Sequence, residues 1–228
     1  VPPSFNDVIV IDGTGQASQT LTLTESTVIR CIAGSTVYTD TITVLPNSAG
    51  ALSLTNYPDT ITAGETFPLD PNVTVTDLYG NVKTDYTGTV EFSGADSVHA
   101  PYEFILGDAG SHAFAGTAFM FDSTGSRRLI VTDQNDGDLT DSSSAIQVYS
   151  ADIYTFAVSA DDTVTAGSAF ILTVSAAVDT FGNSASGTVV VDASYGGGYS
   201  PGGVPPSFND VIVIDGTGQA SQTLTLTE

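Results

Sequence analysis

Apolar and polar residues alternate in short runs along nearly the whole chain. The clearest are Val8–Asp12, Gln19–Glu25, Thr27–Ala33, Thr39–Leu45, Thr74–Leu78, Gly88–Phe92, Arg127–Asp133, Ser144–Ser150, Tyr154–Ala160, Ala169–Ala176 and Gly187–Ala193. These runs are rich in Val, Ile, Thr and aromatic residues, and a period of two turns one face of each to a core and the other to water, so they read as strands. No segment carries a convincing helical spacing. Turn-forming clusters (DGTG, DLYGN, DAGS, DSTGS, QNDGD, DTFGN) punctuate the runs at short intervals. That spacing predicts an antiparallel sandwich rather than strand–helix crossover units.

The pattern also repeats. Val204–Glu228 copy Val1–Glu25 letter for letter, giving a period of 203 residues. Surface positions of strands and loops tolerate substitution, so such identity points to recent duplication of a whole unit, one period of a tandem array. A weaker repeat lies inside the period. Thr62-Ala63-Gly64 recurs as Thr165-Ala166-Gly167, Asp77-Leu78-Tyr79-Gly80-Asn81 as Asp179-Thr180-Phe181-Gly182-Asn183, and Gly88-Thr89-Val90 as Gly187-Thr188-Val189. Each period is therefore expected to hold two diverged sandwich domains. Residues 51–150 form a complete one, and residues 151–228 a second that stops before its last strands. Judged against Arg127–Asp133 and Ser144–Ser150, those strands correspond to residues 27–33 and 36–44. Residues 1–50 are thus expected to be the closing strands of the preceding repeat's second domain, plus a linker.

A sandwich without its closing strands exposes core and an unpaired sheet edge. The strands are expected either from chain continuity in a tandem polypeptide or from the next subunit by strand donation. The duplicated 25 residues favour continuity, because a separate donor needs only the missing strands. The segment 26–45 is the expected assembly element, with Val28, Ile29, Cys31, Val37, Ile42 and Val44 as its apolar contacts.

The run TDLYGNVKTDYTGTVEF (76–92), with TAG before it and PYEFILGDAGSHAFAGTAFMFDSTGSRRLIVTD (101–133) after it, resembles the immunoglobulin-like repeats of very large bacterial and archaeal surface proteins. Asp77, Gly80, Asn81, Tyr86, Gly88, Thr89, Val90, Gly110, His112, Phe114, Thr124, Gly125 and Asp133 fall on the repeat pattern. The second half matches more loosely: it lacks the tyrosine before Gly187 and carries an extra glycine-rich loop. The resemblance implies two immunoglobulin-like β-sandwiches per repeat and an extracellular scaffold role rather than a reaction.

Charge narrows the partners. Twenty-six acidic residues face four Lys and Arg, for a net charge of −22. Such a chain repels phosphate backbones and anionic membrane surfaces, so neither nucleic acid nor membrane is an expected partner. It attracts cations, and divalent ions or high salt would relieve self-repulsion along a polymer. With 41% hydrophobic residues the chain is expected to fold. The start VPPSFNDV has no secretion signal, which says nothing about export if this is an internal period. An extracellular location fits the Thr-rich, Lys-poor composition and the sequon at Asn72.

Candidate chemistry is sparse. Cys31 has no partner within one period and reads as a small apolar strand residue. With only His99 and His112, and Ser, Thr and Asp too common for proximity to mean anything, no catalytic constellation stands out, and no enzyme activity is expected. His112 is expected to tie a loop to its sheet. Asp133, Asn135, Asp136 and Asp138 gather oxygen atoms that Ca²⁺ could use, but they depart from the helical-hand pattern and read more readily as an Asn-Asp-Gly hairpin turn. No other cofactor is expected. Tyr195 and Tyr199 flank a glycine run that is either a flexible loop or a lateral contact between polymer chains. Lys83, beside the Gly80-Asn81 turn, is expected to be exposed.

Overall fold

The computed structural model describes residues 26–33, 35–165, 167–192 and 209–225. The strands expected at 8–12 and 19–25, and the stretch with Tyr195 and Tyr199, lie outside the described residues. The second copies of those two strand sequences fall largely within them.

The chain is all-β. A hairpin of β1 (Ser26–Ala33) and β2 (Thr36–Thr43) comes first. The first sandwich holds β3 (Ala49–Thr55), β4 (Thr60–Thr62), β5 (Asn72–Asp77), β6 (Thr89–Ser93), β7 (Tyr102–Glu103), β8 (Ser111–Ala113), β9 (Gly125–Arg127), β10 (Ile130–Asp133), β11 (Thr140–Ser142) and β12 (Ile146–Tyr149). The second holds β13 (Thr155–Ser159), β14 (Ala169–Val178), β15 (Gly187–Asp192), β16 (Asn209–Ile214) and β17 (Ala220–Thr225). The only helical turns among the described residues are two short 3-10 segments, Leu106–Asp108 and Gly116–Ala118.

In the first sandwich three sheets run in the orders β3-β5-β8, β11-β10-β6-β7 and β4-β12-β9. Alternation sets what faces inward: in β5, Val73, Val75 and Asp77 are buried while Asn72, Thr74 and Thr76 are half-exposed. The core joins Val73 and Val75 to Val90, Phe92, Val131, Ile146 and Val148 from the other sheets. Aromatic rings fill its centre. Phe92 packs edge-on against Phe114 and Phe119, with centroids 4.8 and 4.9 Å away, and Phe67 lies against Phe119 and Phe121. Edge-on contacts of this kind add to the stabilisation from buried area.

The second sandwich repeats part of this plan. The order β13-β14-β17 matches β3-β5-β8, and the pair β15-β16 matches β6-β7. The match extends to single residues: Phe104 N–H bonds the Gly88 carbonyl, and Ile214 sits opposite Gly187. Both Phe104 and Ile214 are buried. After β12, no strand among the described residues plays the part of β9, β10, β11 or β12.

Candidate assembly site

The hairpin is long and bare. Eight residue pairs, from Ser26 opposite Thr43 to Ala33 opposite Thr36, zip β1 to β2, and among the described residues neither strand belongs to a larger sheet. Every residue of β2 is exposed, including Val37, Tyr38 at 71% and Ile42. On β1, Val28, Cys31 and Ile32 are exposed too. Val44, just past the end of β2, is half-buried, and the side chain of Ile29 lies outside the described residues. A two-stranded hairpin by itself is marginal in water, and this one exposes apolar residues on both faces, Cys31, Tyr38 and Ile42 on one and Val28, Ile32 and Val37 on the other.

The second sandwich is correspondingly thin. Among the described residues its core comprises Leu172, Val174, Ala177, Ile212, Ile214 and Leu224. It lacks the layer that Leu129, Val131, Leu139, Ile146 and Val148 supply in the first. Two positions are open. In the first sandwich β6 is paired on both edges, by β7 and β10, whereas among the described residues β15 is paired only by β16. And where β4 runs parallel to β12, with Val148 opposite Ile61 and Tyr149 opposite Thr62, the corresponding residues 163–165 form no strand and are exposed.

The two sandwiches meet through a turn. Asp77 is buried at the end of β5, and its carboxylate accepts the backbone N–H groups of Tyr79 and Asn81, both at 2.9 Å, and the Asn81 side-chain amide. It also accepts the Asn47 N–H at 3.0 Å, fastening the linker after the hairpin. Burial opposes its charge, but the Asn81 side chain and the backbone amides outweigh it and lower the pKa to about 2. Asp179 does the same in the second sandwich. It holds Phe181 N–H, Asn183 N–H and the Asn183 amide, and takes Ala151 N–H at 3.1 Å. Burial opposes its charge as well, yet these bonds lower its pKa. Gly80 and Gly182 supply the positive φ that the turn requires.

Asn183 goes further. Its amide N–H donates to the Asp122 carbonyl at 2.7 Å, and its side-chain oxygen accepts Thr124 N–H at 3.0 Å, so the second sandwich grips the first. Beside this contact the Phe181 ring rests on Gly64, where φ is +82° and a Cβ would collide with the ring. Sequence reading missed this joint, although its signal was present as the paired recurrence of T-A-G and D-x-x-G-N.

The other expected site residues are placed as follows. Asp133 is buried, with one oxygen accepting Asn135 N–H at 2.7 Å and Asp136 N–H at 3.2 Å and the other accepting the Tyr86 hydroxyl. Asp136 in turn accepts Asp138 N–H at 3.2 Å. No group of three or more His, Cys, Asp or Glu side chains among the described residues could hold a metal ion. His112 lies on β8 with Nδ1 3.0 Å from Asp108, whose carboxylate also accepts Ile105 N–H, while Tyr102 stacks on the imidazole. Asn72 is half-buried in β5, its amide donating to Thr74 and Ser111 hydroxyls at 3.1 Å. Lys83 is not exposed as expected: its side chain is only 16% accessible, because it pairs with Asp85 at 2.7 Å.

No protein-family model matches the chain, and no curated protein matches it. A solved structure of an Escherichia coli adhesin, FdeC, is similar at 21% identity with a TM-score of 0.49. The match covers 83% of this chain and 60% of that one, so the chain spans about three fifths of the adhesin's length.

Proposed function

We propose that this chain is a non-enzymatic repeat of an extracellular structural polymer, a surface fibre or sheath whose units join head to tail by strand completion. The observation that carries the reading is the pairing of a surplus with a deficit. Among the described residues, a hairpin with exposed apolar side chains precedes the first sandwich without joining it, and the second sandwich leaves open two positions that the first fills with strands of its own. The letter-for-letter recurrence of residues 1–25 supports an array of such units. The net charge of −22 supports a setting rich in cations, where self-repulsion is screened.

A second reading, the stalk of an adhesin, is favoured by the joint between the sandwiches. The contacts from Asn183 to Asp122 and Thr124 fix successive domains end to end and ask for no lateral neighbour. Denaturing electrophoresis of the native assembly, beside negative-stain microscopy, separates the alternatives. Bands far above 23.3 kDa with regular filaments support a covalent tandem polymer. A band at the unit mass in a sample that images as filaments supports donated strands. A stalk gives single strings with free faces, whereas a fibre buries over about 1,000 Å² per unit against its neighbours. Compact particles without strings or filaments would refute both readings.

A further inference from the structure

We propose a definite register for this strand completion: β1 of the next copy pairs with the open edge of β15, Cys31 opposite Val191, and residues 43–45, where β2 ends and the linker begins, pair in parallel with residues 163–165, Val44 opposite Val164. The proposal rests on the head-to-tail reading above and adds the residue pairing.

The first sandwich is the template, and the Asp77 and Asp179 turns align it with the second. Asn47 N–H and Ala151 N–H donate to these two carboxylates at 3.0 and 3.1 Å, so Asn47 and Ala151 are equivalent positions. Counting back from them makes Leu45 the equivalent of Tyr149, Val44 of Val148 and Ile42 of Ile146. The chemistry follows the count. Ile146 and Val148 are buried while Gln147 and Tyr149 are exposed, and of their equivalents Val44 is half-buried and Ile42, at 38%, is less exposed than Leu45, at 73%. Since Val148 pairs with Ile61 and Tyr149 with Thr62, Val44 and Leu45 fall opposite Val164 and Thr165 of the preceding copy.

The hairpin's own register then fixes β1. Ile146 faces Arg127 in β9, and Ile42 faces Thr27, so Thr27 is the equivalent of Arg127 and Cys31 of the buried Val131. Val131 faces Phe92 in β6. Gly88-Thr89-Val90 corresponds to Gly187-Thr188-Val189, which makes Val191 the equivalent of Phe92 and sets it opposite Cys31. One residue on, Ile130 opposite Ser93 becomes Arg30 opposite Asp192, which puts one of only four cations in the chain at the register position of an acid. The occupant is a second copy because, in a tandem array, Ser26 is the residue that follows the repeated Glu25.

The pairing has a direct test. Gln134 N–H donates to the Thr89 carbonyl at 2.8 Å, which makes that pair hydrogen-bonded, and alternation makes Val131–Phe92 a non-hydrogen-bonded pair. Cα atoms in such a pair are about 4.5 Å apart, inside the range a disulfide spans. The full chain carrying Val191→Cys, oxidised with diamide and run on a non-reducing gel, should form a ladder of head-to-tail oligomers. Peptide mass mapping should locate the bond between Cys31 and position 191. The parent chain, with Cys31 alone, stops at the dimer. Val189→Cys, two residues along the same face, should yield at least about tenfold less ladder, since it lies outside bonding distance.

A ladder favouring Val189→Cys would overturn the register while leaving strand completion intact. A linked species at unit mass would put the hairpin into its own chain and overturn the second copy as occupant. Failure of both variants to link, with sedimentation showing single units, would overturn the register and the head-to-tail reading together.

Discussion

Replacing Tyr86 with Phe isolates one interaction of the first sandwich. The ring is buried and packs edge-on against Phe104 with centroids 5.1 Å apart, a contact that phenylalanine preserves. What disappears is the hydroxyl, which donates to a carboxylate oxygen of buried Asp133. The second oxygen of Asp133 is already engaged by two backbone amides of its turn, so it offers no compensation. Burial, then the neighbouring Asp133, raises the Tyr86 pKa, so the hydroxyl keeps its proton and acts as the donor across the accessible pH range. A hydrogen bond to a charged group contributes about 1.5–3 kcal/mol, and losing the donor leaves a buried acceptor unmatched. At roughly 4–8 °C per kcal/mol for a domain of this size, the unfolding midpoint should fall by about 10 °C. Differential scanning calorimetry of the full chain reads this directly, and the transition that shifts identifies the first sandwich. A double-mutant cycle with Asp133→Asn should then show the two changes coupled. A midpoint within about 2 °C of the parent, or two changes that simply add, would refute the assignment.

Three further outcomes are expected. Because the Asp77 pKa is lowered to about 2, below the 3.8 of an unperturbed aspartate, its contribution to stability is complete above pH 4 and drains away as the pH falls toward 2; Asp77→Asn should flatten that part of a stability-versus-pH curve measured by urea unfolding. Asn183→Ala removes both bonds to Asp122 and Thr124, at about 0.5–1.5 kcal/mol each, so small-angle scattering should report a broader distribution of inter-sandwich distances while the first sandwich keeps its melting temperature. Arg30→Glu should weaken self-association in sedimentation experiments, and Asp192→Lys added to it should restore association, each cross-strand charge pair being worth about 0.2–1 kcal/mol; equal weakening by both single changes without mutual rescue would count against the pairing.

Strand content was legible because β5, β6, β12 and β14 each bury one face, which forces the period of two that a reader can see. The recurrence of the D-x-x-G-N turn was legible because its left-handed glycine and its capping aspartate are both obligatory. Its second use was not. Nothing in the letters says that Asn183 reaches across to Thr124, since a turn asparagine is satisfied just as well by its own aspartate. Asp133 shows a limit of the opposite kind: its neighbouring carboxylates are visible in the letters, but not that its own oxygens accept the Tyr86 hydroxyl and the amides of its turn. Lys83 was misjudged because proximity to a turn suggests solvent, whereas the partner that shields it stands only two residues away.

The Asn183 side chain closes its own turn and holds the neighbouring sandwich with the same amide. Local shape and long-range direction therefore share a single hinge pin. At this joint the bend is set by hydrogen-bond geometry rather than by linker length, so in a string of such repeats a slight rotation at this turn would be carried to everything downstream and would recur once in every repeat. A substitution there would act as steering more than as weakening: the domains could remain folded while the path of the whole string changed its curvature.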